Sequence, residues 1–423
     1  MAITIQSEPS GHAPSYNPIW WVVSSNNTAQ ANFEYIFDVY ITGVTFAGGA
    51  TYLRFKVPAD PTYGRGTFNV APILQRELTS DIGNAVLGFQ QCASSVVEYD
   101  VKIGEFYGAS SGIVAYPNLL SYTGKTAFNG SLSVIEWKDW NITNYGANVF
   151  TAPVEILSNA PSSGTIRTDE NAWINVLSQT SGAIKFAHVN TYDSNNVLLY
   201  SYHVINHAYH AITTVANRML RFSAGYNMNS ITASSITNQS GTSLPILSRP
   251  ESPPVVRYEI FFTDSAHRRI TESVYFKIDT PCTEHTVYRL HFKNKFGAYD
   301  SFSFIRASQK STDIKRNKAE KVIGEYKSGS SYDYNKTDRF ERNYYTEYKH
   351  TIKLNSDWIN ENQSVWLEEL LTSPEIVIDD ATHGFVPINI IDTKYTQRQH
   401  KTDKIFNLTI DIQYTFNEIR QGA

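Results

Sequence analysis

A multi-domain, mainly β architecture is predicted for these 423 residues by three observations. Tyr (27) and Phe (22) are abundant while Met (3) is scarce, a composition that suits pleated, half-buried surfaces. Several segments alternate apolar and polar residues with the period of a strand, and one segment alone carries a clear helical signature. Gly- and Pro-bearing turns space the alternating segments at short intervals, as in sandwiches and barrels. The predicted fold is a β-sandwich architecture with one α-helix in an α+β C-terminal domain. At roughly 150 residues per domain, the length suits two to four domains.

Residues 1–18 are polar, with Gly11, Pro14 and Pro18, and read as an extended N-terminal arm. Residues 19–157 read as a β-sandwich domain. Ile19 to Val23 is a buried-strand candidate, and Phe33, Tyr35, Phe37, Val39 and Ile41 alternate against Glu34, Asp38 and Tyr40. Leu53, Phe55 and Val57, then Val97, Tyr99, Val101 and Ile103, repeat the pattern. Residues 72–90 have room for one short helix. Turn-rich Ser158 to Asp169 marks a boundary, after which 158–250 reads as a smaller β domain. Its end, 238–254, carries four prolines and reads as a linker. Residues 251–423 form the expected C-terminal domain, with an exposed arm at about 310–345. The first 240 residues hold 11 basic and 15 acidic residues, whereas the last 123 hold 17 and 18, and that change of composition supports a separate domain. The helix is expected at about 360–372: Asn360 and Gln363 resemble a capping box, Trp366, Leu367, Leu370 and Leu371 form an apolar face, and Ser373-Pro374 ends it. The last strand, from Phe406 to Phe416, alternates strictly.

Lys plus Arg number 36 and Asp plus Glu 40, a net charge of −4. That balance argues against a dedicated nucleic-acid binder, and no sequence-specific nucleic-acid binding is expected. The N-terminus shows no basic segment followed by an apolar one, so no signal peptide is expected. No apolar run approaches about 18 residues, so no membrane anchor is expected. Cys92 and Cys282 read as buried free thiols.

Few residues suggest chemistry. His203, His207 and His210 would share a helical face suited to zinc, but Val197 to Tyr202 reads as a strand, where that spacing does not converge. They are taken as surface or sheet-face histidines, and no metal or cofactor is expected. The carboxylate pairs Asp169–Glu170, Asp379–Asp380 and Glu98–Asp100 lie in turns or on a wet strand face and read as solvated. No Gly-x-Ser-x-Gly elbow and no phosphate-binding Gly-rich loop occurs, so no enzyme activity is predicted. Trp20, Trp21, Trp137 and Trp140 could stack on sugars but read better as core. Lys310, Lys315, Arg316, Lys318 and Lys321, interleaved with Asp313 and Glu320, read as a solvated arm. Tyr326, Tyr332, Tyr334, Phe340, Tyr344, Tyr345 and Tyr348 form an unusual aromatic series in a polar segment. Tyrosine supplies contact area at low entropic cost, and the six from Tyr332 to Tyr348 are candidate inter-subunit contacts; an amphipathic strand pair packing on its own domain is the alternative.

Three elements, Tyr288 to Phe302, Leu354 to Ile359 followed by Trp366 to Pro374, and Val386 to Asp392 leading into the last strand, resemble virion structural proteins of tailed phages of Bacteroidetes-type hosts, including tail and neck components of crAss-like phages. The resemblance covers about residues 250–423. It implies a non-enzymatic virion component, assembled in the host cytoplasm. Such a protein would form a homo-oligomeric ring in the tail, neck or baseplate and contact other virion proteins. A carbohydrate- or receptor-binding β-sandwich protein is the alternative, and a polysaccharide-cleaving enzyme on a β scaffold a third possibility.

Overall fold

The structure is a computed structural model. It describes residues 3–82, 88–108, 114–115, 120–147, 153–179, 183–207, 218–225, 228–229, 231, 236–238, 246–247, 253–279, 285–327, 331–380, 382–392, 405–416 and 418–420. The fold is mainly β and multi-domain, as predicted. Two compact units are present: Met1–Pro281 with Lys293–Ser301, and Cys282–Phe292 with Phe302–Ala423.

The first unit holds two sandwiches. In the first, strands Ile3–Ser7, Trp20–Ser25 and Arg65–Asn69 make a small antiparallel sheet. A larger sheet runs His12–Pro14, Leu120–Phe128, Val96–Tyr107, Glu34–Ile41, Leu53–Pro58. The predicted alternation sends Tyr35, Phe37, Val39, Tyr99 and Val101 into one core with Trp21 and Val23. The expected N-terminal arm is instead two strands. Ile3 and Ile5 alternate against this core, Ile3 being buried and Ile5 partly so, and residues 12–14 pair in parallel with Thr126–Phe128. A window with so few apolar residues looks polar, yet two well-placed ones suffice for an added strand.

His12 is sealed into this addition. It is 1% exposed, stacks on Phe128 at 4.8 Å, and places Nδ1 2.6 Å from the Thr126 hydroxyl. Burial pushes its pKa down to about 3.

The second sandwich packs strands Gly146–Ala147, Trp173–Ser178, Arg218–Ser223 and Phe89–Gln91 against a six-stranded sheet. That sheet runs Ser163–Arg167, Val274–Asp279, Arg257–Thr263, Phe186–Tyr192, Leu198–Ile205, Ile236–Asn238. Ile174, Val176, Leu220 and Phe222 share a core with Ala187, Val189, Tyr202, Val204, Tyr258, Ile260 and Phe262. The expected boundaries at 157/158 and 250/251 therefore do not separate the sheets. Phe89–Gln91 crosses in from the first segment, and Arg257–Thr263 and Val274–Asp279 from the third, because their alternate apolar residues complete this core. Nor does the Pro-rich 238–254 behave as a free linker where it is described: Ile246 and Leu247 are buried in the same core.

A third cluster, with Cys92, Phe128, Leu132, Leu157, Leu177, Met219, Phe296 and Ala298, joins the sandwiches. Cys92 is a buried free thiol, its pKa pushed up to about 12 by burial; Cys282 lies outside the described residues. Phe296 sits on the turn Asn294–Ala298. Asn294 Oδ1 accepts the amides of Phe296 and Ala298, and its Nδ2 donates to the Leu157 carbonyl at 2.9 Å. Gly297 has φ +73, and a Cβ there would lie 2.1 Å from the Asn129 carbonyl oxygen.

The second unit is one antiparallel sheet in the order Tyr299–Phe304, Tyr288–Lys293, Ile376–Asp380, Gly384–Ile390, Ile405–Tyr414, Glu341–Asn360, Gln309–Glu320, with Glu418–Arg420 added beside Thr346–Tyr348. Leu408, Ile410 and Ile412 of the predicted last strand are buried. The predicted capping box is present: the Gln363 amide donates to Asn360 Oδ1 at 2.8 Å, and the Asn360 amide to Gln363 Oε1 at 3.0 Å. The expected helix is broken at Leu367 (ψ −7°) into Glu361–Trp366 and Glu368–Thr372. Trp366 carries it onto the sheet through Phe292 and Phe302. The expected helix in 72–90 reduces to Ala71–Leu74, residues 83–87 being outside the described set. A further short helix, Val134–Lys138, was not anticipated.

Two outcomes are expected. Above pH 6.5 His12 is neutral whether folded or not; as pH falls below 6.5 the unfolded chain takes a proton that the folded one refuses until about pH 3. Urea unfolding should therefore show about 2–3 kcal/mol lost between pH 6.5 and 4.5 through this group, a loss absent in His12→Gln. Gly297→Ala combines left-handed backbone with a backbone clash and should cost about 2–4 kcal/mol in the same assay.

Candidate functional site

Residues 309–327 and 331–351 of the second unit form a two-stranded ribbon. Gln309–Glu320 pairs with the first part of the 20-residue strand Glu341–Asn360, and a small hairpin, Glu325–Lys327 with Ser331–Asp333, lies at its end. The 12 residues of Gln309–Glu320 span roughly 40 Å. All but Asn317 are exposed, so this strand is wet on both faces, while Tyr345 to Thr351 of its partner are half-buried. The segment read as a loop-like arm is thus an ordered β-ribbon, because its polar residues alternate on two solvated faces rather than one.

The six predicted contact residues all lie on or beside this ribbon, in different settings. Tyr334, Phe340 and Tyr344 are 62%, 51% and 57% exposed. Tyr332 is half-exposed and closes the terminal hairpin, its hydroxyl donating to the Ile323 carbonyl and its ring meeting Tyr326 edge-on. Tyr345 is partly buried opposite Asn317. Tyr348 is drawn into the chain itself: its hydroxyl donates to Glu418, and its ring packs against His350. Tyr326 of the same aromatic series is 79% exposed, and Ile314 and Val322, which sequence reading passed over, are 49% and 78% exposed and extend the apolar surface. Gln309–Glu320 ends the sheet, and Lys310, Lys315, Arg316 and Lys318 lie along it; Lys318 pairs with Glu341 at 2.5 Å.

The outer face of the six-stranded sheet in the first unit carries a second feature. Strand alternation points Ala187, Val189 and Thr191 inward and His188 outward. Antiparallel register then sets His188 directly opposite His203 on one side and Phe261 on the other. The turn after Arg257–Thr263 adds His267. Asp264 builds that turn, its Oδ1 accepting the amides of Ala266 and Arg268 and its backbone carbonyl the amide of His267. His188 Nε2 and His267 Nδ1 are 3.1 Å apart, and ring nitrogens of all three histidines lie within 4.8 Å of one another. Burial first, then His203 and His267, pushes the His188 pKa down to about 4, and burial and His267 lower that of His203.

Sequence reading grouped His203 with His207 and His210. The structure supports the strand reading of that segment, since Leu198–Ile205 is a strand and His207 lies exposed beyond it; His210 is outside the described residues. The partners of His203 come from positions 15 and 64 residues away, so no local spacing announces them.

Two residues along the same face, Glu259 is 8% exposed. Its carboxylate accepts from Ser273 (2.5 Å), Tyr192 (2.9 Å), Tyr275 (3.2 Å) and Asn190 (3.2 Å). Burial raises its pKa, but these four donors outweigh burial and hold it below the usual carboxylate range.

The other candidates do not converge. Asp169 pairs with Arg167, Glu170 accepts the Arg167 amide, Asp380 accepts the amides of Thr382 and His383, and Asp100 accepts that of Gly124. Trp21 is fully buried and Trp20 43% exposed. Trp137 packs on the third cluster, and Trp140 stacks on Tyr145 at 5.1 Å while donating to the His12 carbonyl. No helix among the described residues is long and apolar enough to cross a membrane.

No protein-family profile and no curated protein matches the chain. Among solved structures, a chain described as "Biofilm associated protein - BSP domain" aligns with 83% of this chain and 63% of its own, under two thirds of its length, at 8% identity and a TM-score of 0.16. A score that low carries no argument about fold or role.

Glu259→Ala should lower stability by about 1–3 kcal/mol in urea unfolding, because it strands donors that the buried carboxylate satisfies.

Proposed function

We propose that this protein is a non-enzymatic structural component of a tailed-phage virion that assembles with copies of itself into a closed ring in the tail, neck or baseplate. The observation that carries the reading is the ribbon 309–351. Its aliphatic and aromatic surface, Ile314, Tyr326, Tyr334, Phe340 and Tyr344 among it, is more than a solvated arm needs. A strand that ends a sheet offers backbone donors and acceptors to another chain, and alternate side chains then supply specificity. Repeated head-to-tail docking of one such surface closes into a ring when the rotation between copies allows. The resemblance of residues 250–423 to phage virion proteins supports the same reading. So does the saturation of Glu259 by four hydrogen bonds, which suits a scaffold better than a proton-transfer group.

Light scattering on the purified protein, with negative-stain images of the same peak, tests this. The expected result is a ring-shaped oligomer, reduced to smaller species by the triple substitution Tyr326→Ser, Tyr334→Ser, Tyr344→Ser with unaltered circular dichroism. A ring that persists in the triple variant would remove the ribbon from the contact. A strictly monomeric protein at high concentration, including in the presence of purified phage tails, would sink the assembly role.

A further inference from the structure

We propose that His188, His203 and His267 form a binding site for a divalent first-row transition-metal ion, with zinc as its occupant. The site belongs to the outer sheet face of the first unit and does not depend on the assembly reading.

Geometry carries the argument. Zinc binds imidazole nitrogen at about 2.0–2.1 Å, and two nitrogens of a tetrahedral set then lie roughly 3.3 Å apart. His188 Nε2 and His267 Nδ1 are 3.1 Å apart, already at that separation. Between two such nitrogens only one proton fits, and a metal ion replaces that proton as the bridge. The nearest nitrogen of His203 lies within 4.8 Å of both, so a small side-chain rotation brings it to bonding distance. The donor set is nitrogen alone, which suits zinc, copper or nickel and not calcium or magnesium.

The rings are also held in place before any ion arrives. Phe261 stacks on His188 at 5.0 Å and 23°, and Phe186 on His267 at 4.5 Å and 14°. The rings of His188 and His203 are 4.0 Å apart, set by their direct cross-strand register. His267 has φ 59°, one of three non-glycine residues with positive φ among the described residues. Glycine takes that conformation more easily, so the turn by itself has no need of histidine. His188 is buried, His203 half-buried and His267 exposed, so the ion would sit at the edge of the face with its fourth position open to water.

The test uses the full chain without a polyhistidine tag, stripped with EDTA and titrated with zinc chloride in a calorimeter, and separately with cobalt(II) followed by visible absorption. One zinc per chain is expected, with cobalt bands of tetrahedral intensity. His267→Gly relieves the turn and removes one ligand. It should keep or raise the metal-free melting temperature while weakening zinc by at least about 10-fold, the loss that even outer-shell partners bring. His203→Gln should weaken zinc similarly, and alone decides the matter should His267→Gly fail to fold. No zinc uptake by the wild type, or uptake unchanged in the folded variants, would overturn the proposal.

Discussion

In the second sandwich of the first unit, the inward row Ala187, Val189, Tyr202, Val204, Ile260 and Phe262 locks three neighbouring strands in register. A slip of one residue would turn this row to solvent and bury the outer one. Each large apolar side chain so exposed costs about 1.5–3 kcal/mol, and several would move together. The core therefore dominates the choice of register, and the outer row adds only the smaller contribution of contacts such as those to Glu259. Every outer pairing described here is a by-product of that decision: His188 beside His203, and Asn190 beside Glu259.

The second unit shows the same rule with one layer removed. At the root of the long strand Glu341–Asn360, Ile352 and Leu354 are buried; toward Glu341 its side chains become exposed on both faces. A two-stranded ribbon alone is marginal in water. This one is held from its root, where Ile405–Tyr414 and Glu418–Arg420 pair with the same strand. Ion pairs such as Lys318–Glu341 add little at so exposed a position. The charged residues along Gln309–Glu320 act differently: on a strand that ends the sheet they discourage indiscriminate strand addition.

Period-two alternation was readable wherever one face met a core and the other met water, as at Val97 to Ile103 and Leu408 to Ile412; at Phe33 to Ile41 the pattern holds although Ile36 and Asp38 on the other face are buried as well. The helix cap at Asn360 was equally plain, because it is a contact between residues three apart. What sequence hid was non-local. The N-terminal strands rest on Ile3, Ile5 and His12, too few apolar residues to stand out from a polar stretch. The boundary drawn at residue 250 failed because proline reports local stiffness, not which sheet the next strand will join. The histidine cluster spans 79 residues between His188 and His267 and exists only through strand pairing and one turn. Tyr348 looked equivalent to Tyr344 until Glu418, 70 residues away, claimed its hydroxyl.

The turn Asn294–Ala298 places a constraint on time as well as on space. It belongs to the first unit, yet 137 residues separate Asn294 from the Leu157 carbonyl it bonds. A ribosome adding roughly 5–20 residues per second needs about 7–30 s to cover that distance. During that interval the N-terminal sandwich can form, but the cluster around Phe128, Leu157 and Met219 lacks Phe296 and stays open to solvent. The first unit is therefore completed by a segment made long after most of it. Its nascent form presents an apolar surface of a kind that chaperones bind.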